Sequence, residues 1–246
     1  MNELERLRST WGALGEDDPL WAILSDPDKR GGRWDIAEFF AAGEVEIEAV
    51  EVLGTLLAPQ HGRGSALDFG CGVGRLSRAL AARYAQVVGV DISPSMIAHA
   101  RRLNTGVANL SFVENARSDL RLVDDASVDF LYSVITLQHM PAALQRTYIA
   151  EFMRVLAPNG LAVFQVATGY TRNARGWVHR LVPNALLNPL RRWRYGNRAA
   201  FEMHVVDEDD VRALVTGAGR QIARVDDDAC AGAGFFGRRF YVTARA

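Results

Sequence analysis

The sequence predicts an α/β protein, with a mostly parallel sheet of short strands and helices on both faces. Ser65–Phe69 is a short, mostly apolar run that passes through a turn carrying Gly70, Gly72 and Gly74 into the helical spacing of Leu76 and Leu80. A second apolar run, Gln86–Val90, closes on Asp91 and is followed by another helical stretch. Apolar runs then alternate with helical ones as far as Val166. Short apolar runs separated by helices are the pattern of strands buried on both faces.

The first turn makes a binding site of the nucleotide type. Glycine there permits positive φ and lets a ligand lie against bare backbone. The helix behind it offers free N–H groups, which favour a carboxylate or phosphate. A dinucleotide fingerprint requires G-x-G-x-x-G, but Arg75 stands where its third glycine belongs, and Asp68 precedes the first glycine by two positions. This disfavours a nicotinamide oxidoreductase. Asp91 follows Gly70 by about 20 residues, the spacing at which an acid reaches a ribose, and a carboxylate accepts charge-assisted bonds from both ribose hydroxyls. Ile92 is placed to lie against an adenine face. Ser93 and Pro94 then open a helix containing Met96, as an N-cap and a first-turn proline.

Two further strands follow, Leu110–Glu114 and Val128–Ser133. In an open parallel sheet the ligand sits beyond the strand C-termini, near the switch in strand order. Ser133, Val134, Gln138 and His139 therefore belong at the site. Ala142–Leu156 reads as a helix, ended by A-P-N-G before a strand over Leu161–Val166. Asp207–Ala218 is the last helix, followed by strands over Ile222–Asp227 and Arg239–Arg245.

The phrase D-F-G-C-G-V-G resembles motif I of the class I S-adenosylmethionine-dependent methyltransferases. V-G-V-D-I-S-P-S-M is similar to their second motif and V-I-T-L-Q-H-M-P to their fourth. R-V-L-A-P-N-G resembles a frequent family turn, with Asn159 where glycine is usual. The likeness is continuous from Ser65 to Val166. It implies a Rossmann-like seven-stranded sheet whose last strand is antiparallel, with S-adenosylmethionine as cofactor and S-adenosylhomocysteine as product. It assigns the cofactor to Asp68, Gly70, Cys71, Gly72, Gly74, Arg75, Asp91, Ile92, Met96, Ser133, Val134 and Gln138. After the third strand the usual Gly-Asp pair is replaced by Asn115-Ala116, so the adenine amino group falls to Asn115, Ala116 or Arg117.

With 246 residues the chain is expected to form one domain with insertions. A net charge of −1 gives no sign of a nucleic-acid partner, and no apolar run is long enough to span a bilayer. The N-terminus lacks the basic-then-apolar order of a signal peptide, and Cys71 and Cys230 make neither a disulfide framework nor a metal spacing. A cytoplasmic protein with no metal is expected. Residues 1–60 are expected to form a helical lid. Leu4, Leu7 and Trp11 recur at helical spacing, and Val45–Ala58 reads as an amphipathic helix with Val45, Ala49, Val52, Leu53 and Leu56 inward. The segment from Trp34 to Glu44 resembles the N-terminal part of some small-molecule methyltransferases. That likeness places Phe40 and Gly43 at the cofactor and Trp34 and Phe39 at the acceptor.

Residues 167–204 are an inserted cap, too long for a simple connection. No acid occurs between Glu151 and Glu202, while Arg172, Arg175, Arg180, Arg191, Arg192, Arg194 and Arg198 lie within it. A solvated surface pairing with Asp207–Asp210 and Asp226–Asp228 is the first reading. A cap for an anionic acceptor, using Tyr170, Arg191 and Arg194, is the second, and peripheral membrane contact stands third. Of five histidines, His61 and His99 are expected to face solvent, and the orientation of His179 is open. His139 and His204 are the candidate bases. The expected function is O-methylation of a small molecule such as a natural product or glycan unit. N-methylation and a cofactor-binding regulator are the alternatives.

Overall fold

The computed structural model describes residues 2–195 and 201–245, with backbone alone at 194 and 195. The elements are α1 (Glu3–Asp17), α2 (Pro19–Ile23), α3 (Ile36–Leu57), β1 (Ser65–Phe69), α4 (Arg75–Ala81), β2 (Gln86–Asp91), α5 (Pro94–Leu103), β3 (Leu110–Glu114), β4 (Val128–Ser133), α6 (Ala142–Val155), β5 (Leu156–Tyr170), α7 (Ala174–Leu181), α8 (Asn184–Tyr195), α9 (Glu208–Gly217), β6 (Arg220–Asp228) and β7 (Phe235–Ala244). Among the described residues the strands form one sheet in the order β3-β2-β1-β4-β5-β7-β6. The first five are parallel, and β7 runs antiparallel to β5 and β6 on either side of it. The order reverses between β1 and β4, so the crevice beyond their C-termini is where a ligand fits.

Side chains alternate across the sheet, as the strand period of two requires. Leu67 and Phe69 of β1 face Tyr148, Ile149 and Phe152 of α6, with Val211 and Val215 of α9 in the same cluster. Ala66 faces the other way, into a cluster with Ile47 and Val50 of α3 and Leu76 and Leu80 of α4. A third cluster, Leu14, Ala22, Phe39, Phe40, Val73 and Met96, ties the N-terminal helices to the glycine turn and α5.

Helix α3 is one continuous helix from Ile36 to Leu57, and it presents a different face from the one expected. Val45, Ala49, Val52 and Leu56 are exposed and Leu53 only half-buried, whereas Phe40, Gly43, Ile47, Val50 and Gly54 point inward. Two apolar stripes compete on this helix, and close approach decides between them. A Cβ on Gly43 would lie 2.6 Å from the Arg75 carbonyl oxygen, and one on Gly54 2.7 Å from Leu161 Cδ2. The glycine face is the one that packs.

Strand β5 is longer than expected at both ends. Leu156 already pairs with Val128, and Tyr170 still pairs with Phe235. The A-P-N-G phrase therefore lies within the strand, and the inserted segment leaves the sheet after Tyr170. His61 is buried, not solvent-facing. Its Nδ1 lies 2.7 Å from the Ala58 carbonyl oxygen and its Nε2 3.2 Å from the Tyr84 hydroxyl. His99 is half-buried beside Arg102, which donates to its Nδ1 at 2.7 Å.

Candidate active site

The site begins at the turn between β1 and α4. Gly70, Gly72 and Gly74 have φ of 77°, 53° and 84°, in the left-handed region that glycine tolerates and other residues resist. Space is equally restrictive, since a Cβ on Gly70 would lie 2.2 Å from the Thr136 side chain and one on Gly72 2.5 Å from Ile23. The turn is held by Asp91 at the end of β2. One of its carboxylate oxygens accepts from the Gly72 N–H at 2.9 Å, and the other from the Ser93 N–H at 2.8 Å. Burial raises the Asp91 carboxyl above its usual range, against those two hydrogen bonds.

A narrow, largely apolar cavity of about 80 Å³ lies over this turn. Gly70, Cys71, Gly72, Arg75, Asp91, Ile92, Met96 and Val134 line it, with Ile135, Thr136, Met140 and Tyr148 from the far side. Arg75 is buried, donates to Glu46 of α3 at 2.8 Å, and keeps a buried Nε with no hydrogen-bond partner. Glu46 also accepts from the Tyr132 hydroxyl at 2.7 Å. The turn thus offers bare backbone, a buried carboxylate and an unsatisfied guanidinium N–H. Asp68 lies just outside the lining and accepts from the Ser77 hydroxyl at 2.6 Å. Its burial pushes the carboxyl up to about 7.

Ile135, at the end of β4, has φ of 55°. A β-branched residue there is strained. Its N–H is held by the Gln165 side-chain oxygen at 3.1 Å, and the Gln165 amide donates to Gln138 Oε1 at 2.8 Å. Gln138 in turn places its Nε2 3.3 Å from the Cys230 carbonyl oxygen and 3.5 Å from His139 Nε2.

A second, wider cavity of about 350 Å³ adjoins the first across α1. Leu7 and Trp11 of α1 line both. His139 lines the second, with Phe201 and Glu202, Asn184, Asn188 and Arg192 of α8, and Arg6. The Trp11 and His139 rings meet edge to face at 5.1 Å. His139 Nδ1 lies 2.8 Å from the Glu202 carbonyl oxygen. A carbonyl only accepts, so Nδ1 carries the proton and the lone pair is on Nε2. Burial lowers the His139 pKa to about 4, so the ring is neutral at ordinary pH.

Residues 66–160 match the family described as Methyltransferase domain. Trans-aconitate 2-methyltransferase of Methylobacterium nodulans is 29% identical over 189 residues, which cover 76% of this chain and 68% of that protein. The 2-methyl-6-phytyl-1,4-hydroquinone methyltransferase of Synechocystis sp. is 35% identical over 98 residues, covering 39% of this chain but only 30% of its own length. The fold matches the magnesium protoporphyrin IX methyltransferase of Synechocystis PCC 6803 with a TM-score of 0.62 at 19% identity, over 97% of this chain and 98% of that one. Residues 66–160 are thus a methyltransferase domain, and the chain is similar to S-adenosylmethionine-dependent methyltransferases in sequence and in fold.

The fold brings eight of the expected cofactor residues to one cavity wall, those from Gly70 to Val134 named above. The others lie outside it. Gly74 faces Phe112 and Asn104, and the Ser133 hydroxyl donates to the Phe69 carbonyl at 2.9 Å. The Asn115 amide is used within its own loop, donating to the Asp119 carbonyl and accepting from the Arg117 N–H. Ala116 is exposed, and Arg117 is exposed and paired with Asp119. Phe39 and Phe40 are core residues, Gly43 packs on Arg75, and Trp34 lies edge-on to Phe39. None of these four lines either cavity. Of residues 1–60, it is α1 and α2 that line the first cavity, through Leu4, Leu7, Trp11, Ala22 and Ile23. The helical spacing of Leu4, Leu7 and Trp11 is the sequence signal for this wall.

Tyr170 packs on Phe235, away from both cavities. Arg191 donates to Asn184 at 2.8 Å and to Asn188 at 3.2 Å, orienting two residues of the second cavity. The Arg194 side chain and Arg198 lie outside the described residues. His204 lines neither cavity, and its Nε2 is 3.4 Å from Glu202. His179 packs on the Phe235 ring. The expected pairing of the inserted arginines with the C-terminal acids does not occur among the described residues. Asp210 is taken by Arg146, Asp226 by Arg224, Asp227 by Arg238 and Asp228 by Arg239.

Proposed function

We propose that the protein transfers a methyl group to an oxygen of a small-molecule acceptor held in the second cavity, with His139 as the general base. One observation carries this reading: a buried, neutral imidazole, its Nδ1–H given to the Glu202 carbonyl, stands in the wall of a cavity that shares Leu7 and Trp11 with the cofactor cavity. Orientation of the ring by a backbone carbonyl is the arrangement a base needs. The cofactor residues fit their ligand as well. The Gly70–Gly72 backbone is bare, Asp91 can accept from ribose hydroxyls, and the unpartnered Arg75 N–H suits the carboxylate of a methionine end. When bound, S-adenosylmethionine supplies a methyl group on a sulfonium, which leaves as a neutral thioether. The protein's share is then positioning, exclusion of water and removal of the acceptor proton.

The acceptor end of the second cavity is mixed in character. Arg6 and Arg192 suit an anionic group, while Trp11, Leu14 and Phe201 suit an apolar body. Relatives named for trans-aconitate and for a phytyl hydroquinone bracket the same range. The test is methyl transfer from labelled S-adenosylmethionine to a panel of phenols, carboxylic acids and amines, with mass spectrometry of the product. A methyl ether or ester supports the reading. An N-methyl product would replace it, and tight cofactor binding with no transfer to any acceptor would favour a regulator.

A further inference from the structure

The two helices of the inserted segment have their polarity reversed. On α8 the side chains turned toward the protein include Asn184, Asn188 and Arg191, which bond to one another, to the Met203 carbonyl and to Glu202. The side turned toward water carries Leu186, Leu190 and Trp193, at 71%, 59% and 82% exposure. These three recur at i, i+4 and i+7, one stripe of a helix. On α7 the inward residues are Gly176, tight against Thr171, and His179, on Phe235, while Trp177, Val178 and Leu181 are exposed. His179 Nδ1 and Arg191 Nη2 meet at 3.3 Å between the helices, so their apolar residues lie on the outer side of the pair.

The charge on this outer side has one sign. No acid occurs between Glu151 and Glu202. Arg172, Arg175 and Arg180 are exposed and form no ion pair among the described residues, since the nearby acids of the C-terminal part are taken by other arginines. Contiguous exposed apolar side chains on a soluble surface mark an interaction site. Leucine and tryptophan among arginines is the composition of helices that lie in a lipid interface. A second copy of the chain, related by a two-fold axis, would set these arginines against one another. The apolar side chains are exposed and line neither cavity, which suits insertion into a fluid phase.

We propose that the outer face of α7 and α8 docks on the surface of a bilayer containing anionic phospholipid. The leucines and tryptophans enter the acyl boundary, and the arginines meet the headgroups. Asn184, Asn188 and Arg192 of α8 line the second cavity, so docking sets that cavity at the lipid–water boundary.

The test is flotation of the full chain with vesicles of phosphatidylcholine, alone or mixed with phosphatidylglycerol, at low and high salt. Binding is expected only to the mixed vesicles and should weaken with salt. The variant Leu186→Ser/Leu190→Ser/Trp193→Ser should lose it. Arg172→Gln/Arg175→Gln/Arg180→Gln should weaken it on the order of a hundredfold, since each basic residue near an anionic surface adds severalfold. These positions are exposed, and unchanged melting of each variant would establish that the fold is kept. Absence of binding to either vesicle, or equal binding by both variants and the native chain, overturns the proposal. So does capture by polyglutamate without vesicle binding, which would assign the face to an acidic protein. Self-association abolished by the leucine–tryptophan variant, again without vesicle binding, would make it a contact between copies.

Discussion

At the scale of single residues, the roles proposed for His139 and Asp91 can be separated by measurement. His139→Ala should lower turnover ~10²–10⁴-fold, the usual share of general-base catalysis, and leave the affinity for S-adenosylhomocysteine nearly unchanged. The pH profile adds a sharper check. An unperturbed imidazole would set the acid limb near ~6.5, but burial lowers His139 to about 4. The native enzyme should therefore keep its activity down to mildly acid pH and lose it only as the ring protonates near that value. A limb at 6.5 would move the role to another group. Asp91→Ala should instead weaken S-adenosylhomocysteine by ~1.5–3 kcal/mol in calorimetry, the range for hydrogen bonds to a charged group. Unchanged affinity would remove Asp91 from the ribose. Asp68 reads out in stability. Its folded pKa, raised to about 7 by burial, exceeds that of an unfolded aspartate. The folded state therefore holds the proton more tightly and loses stability as pH rises from about 4 to 7, by an amount on the order of 4 kcal/mol. Asp68→Asn should stabilise the cofactor-free protein at pH 8 and make no difference near pH 4, as judged by urea unfolding. A difference that is flat with pH would contradict this.

At the scale of elements, the contact between α3 and α4 depends on a missing side chain. Gly43→Ala places a Cβ 2.6 Å from the Arg75 carbonyl oxygen, and backbone cannot step aside as a flexible side chain can. The substitution should cost about 1–3 kcal/mol in urea unfolding. Gly12→Ala is the control, because a Cβ there meets nothing within 4 Å. In the body of α1 that change should stabilise by about 0.5–1 kcal/mol. Equal effects at the two positions would mean that close approach is not what Gly43 provides. The same contact explains why the inward face of α3 differs from the one its hydrophobic periodicity predicts. Periodicity alone ranks Val45, Val52 and Leu56 above two glycines, because hydrophobicity is visible in a sequence and proximity is not. The strands were legible for the converse reason. Ser65–Phe69 and Val128–Ser133 are buried on both faces, so their composition is decided locally by the sheet around them. At β5 the ends were lost because Leu156 and Tyr170 are set by partners far along the chain, Val128 and Phe235.

At the scale of the whole molecule, the residues that hold the glycine turn could be read from spacing, while those that close the cavities could not. Gly70, Gly72 and Asp91 belong to one βαβ unit, β1-α4-β2, in which the Asp91 carboxylate accepts from the Gly72 N–H. Trp11, Arg6 and Arg192 come from segments more than a hundred residues apart, and only the folded chain brings them to one cavity. The loop after β4 shows what such assembly asks of the polypeptide. Ile135 sits at φ of 55°, a conformation that costs a β-branched residue on the order of 1–3 kcal/mol, and it does so in the wall of the first cavity. Ile135→Gly should leave the free protein at least as resistant to heat while weakening S-adenosylhomocysteine, measured by melting and by calorimetry. A lower melting temperature with unaltered affinity would show that the residue is there for packing. Thermal hardiness and ligand grip thus pull this position in opposite directions. Directed evolution screened on survival at high temperature alone would gather changes at residue 135, and the survivors would outlast their parent while doing less of its work.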